Sequence, residues 1–145
     1  MKTPIKIIDL FAGPGGLSEG FSASKNNFKI AISIEKETSA HRTLLLRAFF
    51  RQFKKVPDEY YQFMRGELGS SPEEKLYKTP KFTKEFDAAN KEARQFTLGK
   101  DNEEIYRAIR ETINPSEDCI LIGGPPCQAY SAAAKARNLN NKDYK

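Results

Sequence analysis

Ile5 to Phe11 (IKIIDLF) is a short apolar run rich in β-branched residues that closes in Ala12-Gly13-Pro14-Gly15-Gly16, the pattern of a buried strand ending in a glycine-rich turn. Leu17 and Phe21 follow at i, i+4 spacing, which predicts a helix packing one face on a sheet. Phe28–Glu35 (FKIAISIE) reads as a second strand, and Leu44, Leu45, Ala48 and Phe49 carry helical spacing in the stretch that runs through Phe53. Strand, helix, strand, helix in this order predicts parallel strands joined by right-handed crossovers, an α/β sheet.

The pattern loosens between Lys54 and Gly99, where Pro57, Gly66, Gly69, Pro72 and Pro80 punctuate a charge-mixed stretch. Ser71-Pro72-Glu73-Glu74 reads as a helix start, with a serine cap, proline at the first helical position and glutamate at the third. The segment from about 54 to 95 is expected to be an inserted surface region of short helices. Regularity returns with a short strand predicted over Gln95–Leu98. Asp101-Asn102-Glu103-Glu104 then opens a helix with Ile105, Ala108 and Ile109 on one face. Cys119–Ile122 (CILI) reads as a buried strand running into Gly123-Gly124-Pro125-Pro126-Cys127-Gln128. After Ala129 the chain is alanine-rich and then polar, without a further strand pattern.

Composition narrows the class without choosing a function. The 145 residues are 39% hydrophobic and 30% charged, which suits one globular domain and excludes a disordered or collagen-like chain. The net charge of +5 is a mild bias toward anionic partners. Residues 47–100 hold 12 basic and 8 acidic side chains, so most of that excess lies between those positions, in a charge-mixed stretch of the kind that ordinarily means a solvated face. Two cysteines, and no recognisable targeting segment, point to a reducing compartment, and no apolar run reaches the ~18 residues of a membrane span. Two cysteines and the lone His41 do not make a metal set; His41 is expected to be solvated or peripheral.

The candidate chemistry gathers at the carboxyl ends of the predicted strands, where open α/β sheets bind ligands. Glycines in the turn after the first strand permit close approach to the backbone, although such glycines also serve plain tight turns. Glu35, twenty residues after Gly15, ends the second strand, where a carboxylate can accept from both ribose hydroxyls; a solvated strand-end carboxylate is the competing reading. The pair points to an adenosine-containing cofactor. The spacing G-P-G-G, with Ser18 where a third glycine would stand, disfavours the pyrophosphate of NAD. Asp101 is open to two readings, a capping box with Glu104 or an acceptor for an adenine amine. Cys127 follows two prolines that stiffen its loop, a good placement for a nucleophile. Cys119, inside an apolar strand, is expected to be a small buried core residue.

Two stretches resemble motifs of the DNA (cytosine-5) methyltransferases. Asp9 to Phe21 (DLFAGPGGLSEGF) is similar to their first motif, and Gly123 to Ser131 (GGPPCQAYS) to their catalytic P-C-Q motif; residues 54–95 are unmatched. The resemblance implies a Rossmann-like fold that uses S-adenosyl-L-methionine and acts on double-stranded DNA, in a restriction–modification system of the prokaryotic cytoplasm. By that resemblance Phe11 would lie against the adenine, Gly13, Pro14, Gly15 and Gly16 would wrap the methionine part, and Ala12 would belong to the same cofactor-binding turn. Glu35 would hold the ribose hydroxyls, Asp101 the adenine amine, and Pro126 would line the methyl-transfer site. Cys127 would attack carbon 6 of a flipped-out cytosine so that carbon 5 can take the methyl group. Gln128, Ser131 and Arg137 would face the DNA substrate.

The chain also departs from that family. Lys36 stands where an aromatic residue often stacks on adenine, and Ala134 where glycine is frequent in the catalytic loop. The E-N-V motif, whose glutamate contacts cytosine N3, the R-x-R motif, further strands and a target-recognition domain would all follow Lys145. The resemblance therefore implies the N-terminal part of a catalytic domain, with only the first strands of its sheet, and an exposed edge and apolar face on the last of them. The missing C-terminal portion or a second chain is the expected protein partner. Alternatives left open are a truncated or split fragment that only binds cofactor, and a related RNA cytosine methyltransferase.

Overall fold

A computed structural model of the chain describes residues 3–24 and 26–125. The elements run β1 (Ile5–Leu10), α1 (Gly16–Ala23), β2 (Phe28–Glu35), α2 (Thr38–Arg51), α3 (Asp58–Met64), α4 (Pro72–Tyr77), a 3-10 turn (Pro80–Phe82), α5 (Thr83–Glu92), β3 (Ala93–Gln95), α6 (Asn102–Thr112) and β4 (Cys119–Gly123). The four strands form one parallel sheet in the order β3-β2-β1-β4. It is the Rossmann-like α/β arrangement that the resemblance implied. Successive strands move outward from β1 to β3, and the chain then returns to place β4 on the other side of β1. That reversal beside β1 creates a switch point, and a crevice opens outside the carboxyl ends of the strands there.

Each face of the sheet has its own apolar cluster. Ile8, Ile32 and Ile34 pack with Ile105 and Ala108 of α6, as the face read from the helix pattern requires. On the other face α2 buries Leu44, Ala48 and Phe49 together with Leu76, Tyr77, Phe82, Ala89 and Ala93. The middle segment is thus not a surface excursion. Phe49, fully buried, meets Phe53, Tyr77 and Phe82 edge-on at ring-centroid distances of 4.9, 5.2 and 6.0 Å, and Phe86 stacks on Tyr77 at 4.8 Å. Burial also pushes the Tyr77 hydroxyl far above the ordinary tyrosine range. Its helices are short and its charges many, which hides an aromatic core from any count of period or charge.

Other local expectations are corrected. The third strand is Ala93–Gln95 instead of Gln95–Leu98, because Ser33–Glu35 of β2 pair with Ala93–Gln95 directly as α5 ends. Phe96 and Leu98 leave the sheet and pack against the α6 cluster. Ser71 sits at φ 54 and makes no side-chain cap bond, so α4 starts on Pro72 alone. Leu17 is 50% exposed; α1 meets the sheet through the buried Ser18, and Phe21 packs edge-on against Phe28. His41 is half-buried, its Nε2 3.2 Å from the Ala93 carbonyl oxygen, so it ties α2 to β3. Cys119 is exposed, because β4 pairs only with β1 among the described residues and its alternate positions face outward. Leu121 on the same strand is 63% exposed, in line with the expected open edge.

Candidate functional site

The carboxyl ends of all four strands contribute to one cavity of about 260 Å³. It is lined by Phe11 and Gly13 after β1, Ile34, Glu35 and Lys36 at the end of β2, Phe96, Thr97 and Leu98 after β3, and Gly124 after β4. Two aromatic rings and two aliphatic side chains make its walls largely apolar, while the Glu35 carboxylate, the Lys36 ammonium and the Thr97 hydroxyl supply the polar groups. Such a lining suits a flat heteroaromatic ligand that carries hydroxyls.

Backbone geometry builds the crevice. Gly123 pairs with Leu10, and a Cβ at Gly123 would stand 2.3 Å from the Leu10 carbonyl oxygen, so only glycine lets the ends of β1 and β4 close at this point. Phe11 has φ 58, a left-handed conformation that a bulky L-residue adopts at a cost. Its ring, 39% exposed, is thereby turned into the cavity. The turn continues through Ala12, whose N–H donates to the Ile34 carbonyl at 3.0 Å, to Gly15 at φ 87 and the start of α1 at Gly16. A Cβ at Gly15 would approach Leu44 Cδ1 to 2.9 Å, so the turn is seated directly on α2.

Glu35 holds this turn from below. Its Oε2 accepts from the Gly13 N–H at 2.8 Å and its Oε1 from the Glu37 N–H at 2.7 Å. Each oxygen keeps further lone-pair capacity, so the carboxylate can brace the turn and still accept from a ligand's hydroxyls. Beneath the turn lies Asp9, 1% exposed, whose Oδ2 accepts from the Ser18 hydroxyl. Burial raises the Asp9 carboxyl above its ordinary range; the Ser18 bond opposes the shift and the nearby Glu35 charge adds to it. Asp9 Oδ1 and the Oγ of Ser33, its partner in the β1–β2 register, are buried without a hydrogen-bond partner among the described residues.

The structure therefore brings Phe11, Gly13 and Glu35 together in the cavity and sets Ala12, Pro14, Gly15 and Gly16 in the turn beside it. Asp101 does not line the cavity. No capping bond forms from its side chain either: its Oδ2 accepts from the Thr97 N–H at 2.7 Å, behind the cavity wall. Pro126, Cys127, Gln128, Ser131 and Arg137 lie outside the described residues. Sequence reasoning missed Phe96, Thr97 and Leu98, which read as strand, and the buried Asp9–Ser18–Ser33 cluster. An aspartate between Ile8 and Leu10 in an isoleucine-rich strand was the available signal for the cluster. Among the described residues no group of His, Cys, Asp and Glu could hold a metal ion, and no helix is long and apolar enough to cross a membrane.

No family model matches the chain, and no solved structure matches it significantly. It is 30% identical over 147 residues to the type II methyltransferase M.Bpa9945I of Bacillus paralicheniformis, covering 90% of this chain and 32% of that protein. M.MjaORF1200P of Methanocaldococcus jannaschii is 29% identical over 151 residues, covering 96% of this chain and 40% of the relative. The type II methyltransferase M.AquIA of Picosynechococcus is 26% identical over 136 residues, covering 94% and 38%. The chain thus spans 32–40% of the length of these relatives, and along nearly all of its own length it is similar to type II methyltransferases.

Proposed function

We propose that this chain is the cofactor-binding, N-terminal part of the catalytic domain of a DNA cytosine-5 methyltransferase of a restriction–modification system. The observation that carries the reading is the cavity at the strand ends. There the Phe11 ring, the Gly13 backbone and the Glu35 carboxylate converge, as adenosine recognition requires. The residues present fit the adenosine part of S-adenosyl-L-methionine. Phe11 offers a face to the base, Glu35 has acceptor capacity for the ribose hydroxyls, and Ala12, Gly13, Pro14, Gly15 and Gly16 form the turn beside the cavity that would meet the methionine part. When bound, the cofactor supplies an electrophilic methyl group on its sulfonium.

This chain's own contribution to the chemistry is Cys127. Its thiolate would add to carbon 6 of an extruded cytosine, breaking the 5,6 double bond and leaving carbon 5 nucleophilic. After methylation, loss of the carbon 5 proton and departure of the thiolate would restore the ring. Pro126 would line the transfer site, and Gln128, Ser131 and Arg137 would contact the DNA. The similarity to type II methyltransferases supports this reading, as does the spacing of the two motifs.

The test is transfer of a radiolabelled methyl group from S-adenosyl-L-methionine to carbon 5 of cytosine in duplex DNA by the complete methyltransferase that contains this chain, with Cys127→Ala as control. Measurable transfer that the substitution abolishes is expected. Unchanged transfer in Cys127→Ala would remove the nucleophile assignment, and label on another base would remove cytosine-5. A second reading is a cofactor-binding fragment that needs further polypeptide for catalysis. Calorimetric titration with S-adenosyl-L-methionine separates the two: binding without transfer, with activity restored by the remaining polypeptide, selects the second.

A further inference from the structure

We infer that Asp101 is a positioning residue of the cavity wall and makes no contact with the ligand; the inference rests on the proposed adenosine site. The wall after β3 consists of Phe96, Thr97 and Leu98, none of them in a strand or helix. A loop with no ladder bonds needs other restraints if it is to form one side of a binding site. Here they come from the residues just before and at the start of α6. The Asp101 carboxylate accepts the Thr97 N–H at 2.7 Å, a charge-assisted bond that binds the middle of the wall. The N–H groups of Lys100 and Asp101 return to the Thr97 carbonyl at 3.0 and 2.9 Å, so both backbone groups of Thr97 are held. Asn102 Oδ1 takes the Gly99 N–H at 2.8 Å. The far end of this brace is α6, fixed to the sheet through the buried Ile105 and Ala108.

Asp101 thus couples a rigid helix to the wall through Thr97 and is itself absent from the lining. Its removal should loosen the wall toward every adenosine ligand alike, with or without the exocyclic amine of the base. A direct contact with that amine would instead penalise only ligands that carry it.

The experiment compares S-adenosylhomocysteine with its purine analogue lacking the 6-amino group, by calorimetry on the full chain. Asp101→Ala is expected to weaken both by the same factor, about tenfold for the loss of one charge-assisted bond, and to leave their affinity ratio unchanged. Asp101→Asn, which keeps a carbonyl acceptor for Thr97, should restore most of the loss. Hydrogen exchange of the unliganded chain supplies a separate readout. The Thr97 amide should lose protection in Asp101→Ala and regain it in Asp101→Asn, while the Ile105 and Ala108 amides stay as in the unsubstituted chain. Collapse of the affinity ratio in Asp101→Ala, or an unaltered Thr97 amide, would overturn the inference. If the unsubstituted chain binds neither ligand, the adenosine reading fails, and the exchange data still judge the brace.

Discussion

At the scale of single residues, the fold accepts unfavourable local states where the candidate site is built. Phe11 keeps a left-handed backbone that costs about 1–2 kcal/mol, and the return is a ring turned into the cavity. Asp9 is a carboxyl buried with one oxygen unpartnered among the described residues. Its folded-state pKa is raised above the ordinary 3.8, chiefly by burial. The folded chain therefore holds this proton longer than the unfolded chain does. Any stability this confers is complete below 3.8 and is lost as pH rises through the raised folded-state value. Asp9→Asn keeps an acceptor for Ser18 and removes the ionisation. Thermal unfolding across pH 4 to 8 should show the variant gaining on the unsubstituted chain as pH rises, with the difference levelling off once the pH has passed the raised folded-state value. Asp9 was visible in the sequence as a polar residue in an apolar strand. Its environment was not, since burial and the approach of Ser18 depend on how α1 settles on the sheet.

Among elements, the decisive joint is the one that seats the glycine turn. Arg51 near the end of α2 pairs with Glu19 of α1 and with Glu92 at the end of α5, and its side chain is only 13% exposed. Glu92 is at least as buried, and burial raises its carboxyl above the usual 4.5 even though Arg51 opposes the shift. Removing the cation would leave that carboxylate in the interior with no ion-pair partner and only the smaller influence of Lys29 to offset its burial. Arg51→Ala should therefore destabilise the chain by about 3 kcal/mol at neutral pH, as for other buried pairs broken on one side. The loss should shrink as pH falls toward 4.5, where Glu92 can take up a proton in place of the pair. Denaturant titrations at the two pH values check this, and equal losses at both would show that packing of the Arg51 stem, not charge, carries the joint. The sequence offers no pattern for such a triad, because its members are 32 and 41 positions apart and each looks like an ordinary surface charge.

Across the whole molecule, the sheet is finished on one side and open on the other. β3 caps one edge with three residues, a short strand of the kind that blunts pairing. β4 leaves its outer edge unpaired among the described residues and presents Leu121 at 63% exposure beside the exposed Cys119. A β-branched strand with a free edge is prone to pair with another chain. Leu121→Lys should lower self-association in sedimentation velocity while shifting the unfolding midpoint little, since an exposed side chain contributes about 0.5 kcal/mol or less to stability. An unchanged sedimentation profile would show that this edge does not drive association.

The strand and helix order was legible because period and turn residues report directly on local backbone. Phe28–Glu35 is a strand as its pattern predicts, and Ile105, Ala108 and Ile109 share the face their spacing assigns. Glu35 and the glycine turn were legible for the same reason, since both sit at strand ends that the pattern locates. Only the tertiary structure decided the rest. Phe96 to Leu98 became a cavity wall because β2 had already paired with Ala93–Gln95. The middle segment became core because Tyr77 of α4 and Phe82 of the 3-10 turn cover Phe49, with Ala89 of α5 in the same cluster. Asp101 turned back to Thr97 instead of capping its helix because α6, held by Ile105, brings it within 2.7 Å of that amide. A sequence determines what each segment can do alone; which partner a side chain meets depends on elements distant in the chain, and that is settled only when their surfaces are packed.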